Sequence, residues 1–216
     1  MIKENLNKIE LPPGVRLVAV SKFHPSEAIL EAYECGQRVF GESRPQELEA
    51  KAAQLPGDIE WHFIGHLQTN KLKKVLGCVS LVHSVDSEHL LEAIERWGQD
   101  NGKVTDILLE VHISSDESKQ GFTPEEAERI LQEAERYPHV RFCGLMGMAS
   151  LTSDEDVIRR EFASLSALKA SILERCGNSL KDFKELSMGM SSDWKIAVEE
   201  GATMVRIGSS IFGERG

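Results

Sequence analysis

The sequence predicts an α/β fold of the (β/α)8 TIM-type barrel class, a single domain over residues 1–216, on three observations. Short runs rich in Val, Ile and Leu alternate with longer segments of helical period, the signature of β/α units around a parallel sheet. Eight such runs are present, the number a closed barrel needs. The length of 216 residues suits one large α/β domain and is short for two. An open doubly wound sheet is the alternative, because periodicity does not show closure.

The first strand is Arg16 to Val20, whose Leu17-Val18-Ala19-Val20 run is wholly apolar. Val39 to Gly41, Glu60 to Ile64 and Leu81 to Ser84 follow as strands two to four. Leu90, Ile94 and Trp97 then recur at helical spacing ahead of the fifth strand, Ile107 to Ile113. Thr123, Pro124 and Glu126 supply an N-cap, a first-turn proline and a capping-box acid for a helix whose face is Ala127, Ile130, Leu131 and Ala134. Val140 to Met146 is the sixth strand. Ile158, Phe162, Leu165 and Ile172 mark the next helix, before strand seven at Glu185 to Met188. A short helix from near Trp194 leads to strand eight, Met204 to Ile207. No linker, low-complexity stretch or repeat of fixed period interrupts this order.

Composition narrows the partners. With 41% hydrophobic and 28% charged residues, the chain can bury a full core and has no mark of disorder. Its net charge of −10 would repel a phosphate backbone or an anionic bilayer, which argues against nucleic-acid and membrane-surface roles. Met1 to Glu10 holds no apolar core of a secretory leader and no stretch approaches a membrane span, so a cytoplasmic protein is expected, as a monomer. Cys35, Cys78, Cys143 and Cys176 form no C-x-x-C pair, which suits reduced, mostly buried thiols.

In a barrel, chemistry gathers where the strands end. The first strand runs into Ser21-Lys22, an amine with apolar chain behind it; desolvation favours the neutral, nucleophilic form that condenses with an aldehyde. The competing reading is a lysine snorkelling to water. After strand seven comes Met188-Gly189-Met190-Ser191-Ser192-Asp193, and after strand eight Gly208-Ser209-Ser210. Loops at these two places commonly hold phosphate on backbone N–H groups, although two ordinary polar turns with Ser192 or Asp193 capping a helix would read the same way. Arg206 lies within the last strand, where a charge needs a buried partner. A ligand with an aldehyde at one end and a phosphate at the other fits Lys22 and these loops. Pyridoxal 5′-phosphate (PLP) is such a ligand.

Further blocks carry a resemblance. They are Ala19-Val20-Ser21-Lys22, Phe40-Gly41-Glu42 with Gln46-Glu47, and Trp61-His62-Phe63-Ile64-Gly65-His66-Leu67-Gln68-Thr69-Asn70-Lys71. Ser118-Lys119-Gln120-Gly121-Phe122, Gly144-Leu145-Met146-Gly147-Met148, Leu186-Ser187-Met188-Gly189-Met190-Ser191, and Val205-Arg206-Ile207-Gly208 with Ile211-Phe212-Gly213 complete the set. In these blocks, which span nearly the whole chain, the sequence resembles the pyridoxal phosphate homeostasis family, whose fold is similar to the N-terminal barrel of alanine racemase. The resemblance implies that Lys22 forms the Schiff base with PLP, that Ser191, Gly208 and Ser209 surround the phosphate, and that Arg206 faces the pyridine nitrogen. Ser43 stands where the family usually has an Asn near the cofactor, and His112 where an Asn is more frequent.

The implied function is PLP binding for intracellular PLP homeostasis, by buffering or delivery to PLP-dependent apo-enzymes, without efficient catalysis. An arginine at the pyridine nitrogen weakens the cofactor as an electron sink. Racemisation would also need an acid/base group on the face opposite Lys22, and the only tyrosines, Tyr33 and Tyr137, fall in predicted helices. A PLP-dependent amino-acid racemase and, more distantly, a Schiff-base aldolase remain the alternatives. His62, His66, His83 and His112 lie at or near strand ends without a metal-binding spacing, so no metal is expected. Lys71, Lys73 and Lys74 read as a solvated helix face, with a docking patch as the alternative.

Overall fold

The computed structural model describes residues 1–115, 120–177 and 179–213. Eight parallel strands close into a barrel in sequence order: β1 (Arg16–Val20), β2 (Val39–Glu42), β3 (Glu60–Phe63), β4 (Leu81–Val85), β5 (Thr105–Glu110), β6 (Val140–Met146), β7 (Glu185–Ser187) and β8 (Met204–Ile207). Closure is made where β1 pairs with β8, with Arg16 opposite Met204 and Ala19 opposite Ile207. The open doubly wound alternative is thereby excluded.

Around the barrel lie α1 (Ile2–Asn7), α2 (Ser26–Glu34), α3 (Pro45–Gln54), α4 (Leu72–Leu76), α5 (Glu88–Asn101), α6 (Pro124–Gln132), α7 (Glu155–Cys176), α8 (Trp194–Glu199) and α9 (Ser209–Phe212). The capping box at Thr123 and Glu126 forms in both directions and starts α6. That helix ends before Ala134, which falls in a separate 3-10 turn, and Tyr137 lies just past that turn. α1 has no counterpart in the expectations; it buries Ile2, and Asn5 donates to the carbonyl of Ile211 at 3.0 Å.

Strand residues alternate between the two sides of the wall, as the pleat requires. Leu186, Val205 and Ile207 face outward into the main core shared with the helices, while Val18, Leu81, Leu108, Cys143, Met146 and Met204 pack together inside. The fifth strand departs from its expected bounds. Thr105 and Asp106 pair with Val140 and Arg141, so β5 starts earlier. It ends at Glu110; past it Val111 forms an isolated bridge with Phe122, and the His112 N–H donates to the Phe122 carbonyl at 2.9 Å. The thiols are unpaired, but only Cys143 is buried and Cys35 is exposed, which corrects the expectation of mostly buried cysteines. Burial pushes the Cys143 thiol up to about 12.

Candidate functional site

The C-terminal ends of β1, β7 and β8 border a cleft of about 340 Å³. Its lining includes Lys22, Ser191, Arg206, Gly208 and Ser209, so five of the six residues singled out in the sequence meet in one place. Ser43 does not line it. That residue packs at the ends of β2 and β3, where a Cβ on Gly65 would fall 2.4 Å from its carbonyl oxygen. Sequence reasoning missed His24, Ile64 and Met148, which line the same cleft. His24 could have been found from its position in the Lys22 loop; Ile64 and Met148 carry no chemical signal. The His24 ring stacks on Phe212 at 4.9 Å. Ser118 and Lys119 lie outside the described residues.

The two polar loops are built differently from simple helix caps. Asp193 does not cap α8 with its side chain; its Oδ1 accepts from the N–H of Met190 at 2.5 Å and closes the turn that presents Ser191 and Ser192. The Ser191 hydroxyl in turn accepts from the N–H of Gly208 at 3.3 Å and ties the two loops together. Among the described residues, no group accepts from the backbone N–H of Ser191, Ser192, Ser209 or Ser210. Such N–H groups and nearby hydroxyls suit an anion with several oxygens.

Arg206 is 5% exposed and finds its buried partners in neutral acceptors. One terminal nitrogen donates to the Ser187 carbonyl at 2.8 Å and its hydroxyl at 2.6 Å, and the other to the Gly147 carbonyl at 3.0 Å. Three of its five N–H groups are thus engaged. Burial pulls its pKa down to about 10 against the opposing pull of Glu110 and Asp193, so it stays charged at neutral pH. The Ser187 hydroxyl is also 2.9 Å from His83 Nδ1, and His83 Nε2 is 2.9 Å from His62 Nδ1, so one hydrogen-bonded chain runs inward from Arg206. Both are buried: His62 lies next to the end of β3, as expected, and His83 in the middle of β4. Burial drives both well below the ordinary range, His62 to about 3.

The remaining candidates stand elsewhere. His66 lies past the end of β3 and pairs with Asp86 at 3.0 Å, while His112 lies past β5. Lys73 and Lys74 fall in α4, and Lys74 pairs with Glu49. Tyr33 donates to Asp58 at 2.7 Å and Tyr137 stacks edge-on to Phe142; neither lines the cleft.

Comparison with known proteins places this geometry. The family model for the alanine racemase N-terminal domain matches residues 1–216. The chain is 40% identical to the pyridoxal phosphate homeostasis protein of Aquifex aeolicus over 201 residues, covering 93% of this chain and 87% of that one. It superposes on PipY of Synechococcus elongatus solved without PLP with a TM-score of 0.93 at 40% identity, covering 99% of this chain and 100% of that one. The same protein with PLP bound gives 0.89 at 39% identity, over 99% of this chain and 100% of that one. An alanine racemase of Clostridium difficile shares the fold at 16% identity and a TM-score of 0.76; 99% of this chain covers 55% of that one.

Proposed function

The chain belongs to the pyridoxal phosphate homeostasis protein family, and from that premise we propose that it binds PLP at the mouth of its barrel and buffers or delivers it without efficient catalysis of its own. The observation that carries the site is the meeting of Lys22, the two serine loops and Arg206 on one cleft. The donor set fits the cofactor. N–H groups of Ser191, Ser192, Ser209 and Ser210, with their hydroxyls, match the phosphate; Arg206 retains two N–H groups for a ring nitrogen; Val20, Ile64 and Met148 give the ring an apolar bed. PLP, when bound, supplies an aldehyde for reversible condensation with an amine. Lys22 provides that amine, Gly208 lets the β8 loop approach closely, and Ser209 and Ser191 orient the anion. Ser43, off the cleft, supports the β2–β3 edge.

The non-catalytic reading rests on family membership and on the lining itself. Among the described residues, His24 is the one titratable side chain in the cleft lining besides Lys22 and Arg206, and no tyrosine lines it. Acceptor apo-enzymes are the implied partners, and nucleic acid is disfavoured by the net charge of −10. A monomer is the proposed state. A cytoplasmic location is supported by the free, partly exposed thiols. Among the described residues, no helix is long and apolar enough to cross a membrane.

The experiment is to load the protein with PLP and offer, separately, an apo-transaminase and a panel of L-amino acids. Recovery of transaminase activity with no change in amino-acid chirality is expected. Sustained racemisation or decarboxylation, abolished in Lys22→Ala, would establish the enzyme reading instead.

A further inference from the structure

We propose that Glu42, Glu47 and Lys51 form a clamp that fixes the backbone on both sides of Lys22 and so aims its side chain into the cleft. The proposal rests on the assignment of Lys22 as the lysine that holds PLP. Lys22 sits in a turn, Ser21 to His24, closed by the His24 N–H donating to the Ser21 carbonyl at 3.1 Å. The third residue of that turn, Phe23, has φ of 67°, a left-handed conformation that turns normally give to glycine or asparagine. An aromatic residue keeps that backbone only where its surroundings hold it.

Three side chains, from β2 and α3, hold it. On the N-terminal side, Ser21 is wholly buried, and its N–H donates to the Gly41 carbonyl at 3.0 Å. Its hydroxyl donates to Glu42 Oε1 at 2.7 Å, and its carbonyl accepts from Lys51 Nζ at 3.0 Å. Lys51 Nζ also donates to Glu42 Oε1 at 2.8 Å and lies 3.9 Å from Glu47. On the C-terminal side, the Phe23 N–H donates to the Glu47 carboxylate at 3.2 Å. One buried ammonium therefore links the carboxylate that grips Ser21 to the carboxylate that grips Phe23.

Stability alone does not account for the arrangement. A buried ion pair is costly to desolvate, and apolar replacements of similar volume often fold as well or better. Lys51 is 6% exposed and Glu42 fully buried, and Glu42 Oε2 has no hydrogen-bond partner among the described residues. What the cluster does uniquely is immobilise the residues flanking Lys22, which preorganises an amine that must meet an aldehyde in one orientation. It also gives a role to Phe40-Gly41-Glu42 and Gln46-Glu47, the sequence block that the phosphate loops and Arg206 leave unexplained.

The test follows PLP and pyridoxine 5′-phosphate, which has the same ring and phosphate but an alcohol in place of the aldehyde. Wild type, Lys22→Ala, Lys51→Met, Glu47→Ala and Glu47→Gln are mixed with each ligand by stopped flow. Lys51→Met and Glu47→Ala should slow the visible absorbance change with PLP by about tenfold or more while leaving pyridoxine 5′-phosphate affinity within about twofold of wild type. Glu47→Gln keeps an acceptor for the Phe23 N–H and should recover most of the rate. Wild-type rates in both slowed variants, or parallel loss of pyridoxine 5′-phosphate binding, would overturn the clamp. A visible band that survives in Lys22→Ala would overturn the assignment beneath it.

Discussion

Arg206 and Glu110 set the charge balance of the upper barrel. Glu110 is 3% exposed, with Oε2 lacking a partner among the described residues. Burial, with Asp86 nearby, raises its carboxyl to about 7 although Arg206 and Gln120 pull the other way. The folded state therefore holds a proton that the unfolded chain releases near pH 4.5, and stability falls as pH rises from about 4.5 to 7. His62 and His83 work in the opposite sense: held neutral, they cost stability as pH falls below about 6.5. Glu110→Gln should isolate the first effect. Relative to the parent, its melting temperature should gain progressively from pH 4.5 and level off above 7, worth up to about 3 kcal/mol; a constant difference across that range would show that Glu110 does not titrate there. At this scale, Lys22, Ser191, Gly208 and Ser209 were legible because they follow apolar runs, and Arg206 because it interrupts one. The partners of Arg206 were not, because they are mainly carbonyl groups of Ser187 and Gly147, which every residue possesses.

Two loops and one turn carry the site, and each is tied to the element it follows. The β7–α8 loop is closed by Asp193 and stapled to Gly208 through Ser191, so a change in one loop reaches the other. Ser191→Asp places a carboxylate where the phosphate is assigned. It should weaken PLP by about a hundredfold and pyridoxal, which lacks the phosphate, by far less; equal losses in fluorescence titrations would show that this loop only shapes the barrel. Gly208 is a poorer probe, since a Cβ there would come 3.0 Å from the Val20 carbonyl and strain β1 beside Lys22. The bounds of β1, β6 and β8 match the sequence expectation, while those of β5 do not. Val111 and Ile113 are packed into the core as loop residues, and burial in a loop leaves the same apolar pattern as burial in a strand. α1 escaped notice because six residues are too few to establish a period.

Across the whole molecule, closure brings polar side chains of β8, β7, β4 and β3 together inside the barrel, in the chain from Arg206 through Ser187 and His83 to His62. Eight strands could be counted in the sequence, yet closure could not, because it lies in the β1–β8 pairing of residues almost two hundred positions apart. The site depends on that pairing, since Lys22 follows β1 and the loop proposed to hold phosphate follows β8. The central claim is that Lys22, at this seam, is the residue to which PLP attaches. Borohydride reduction of the PLP-loaded protein followed by peptide mass spectrometry tests it most directly. A single phosphopyridoxyl mass on the peptide containing Lys22 is the expected result; that mass on another lysine, with Lys22 unmodified, would contradict it.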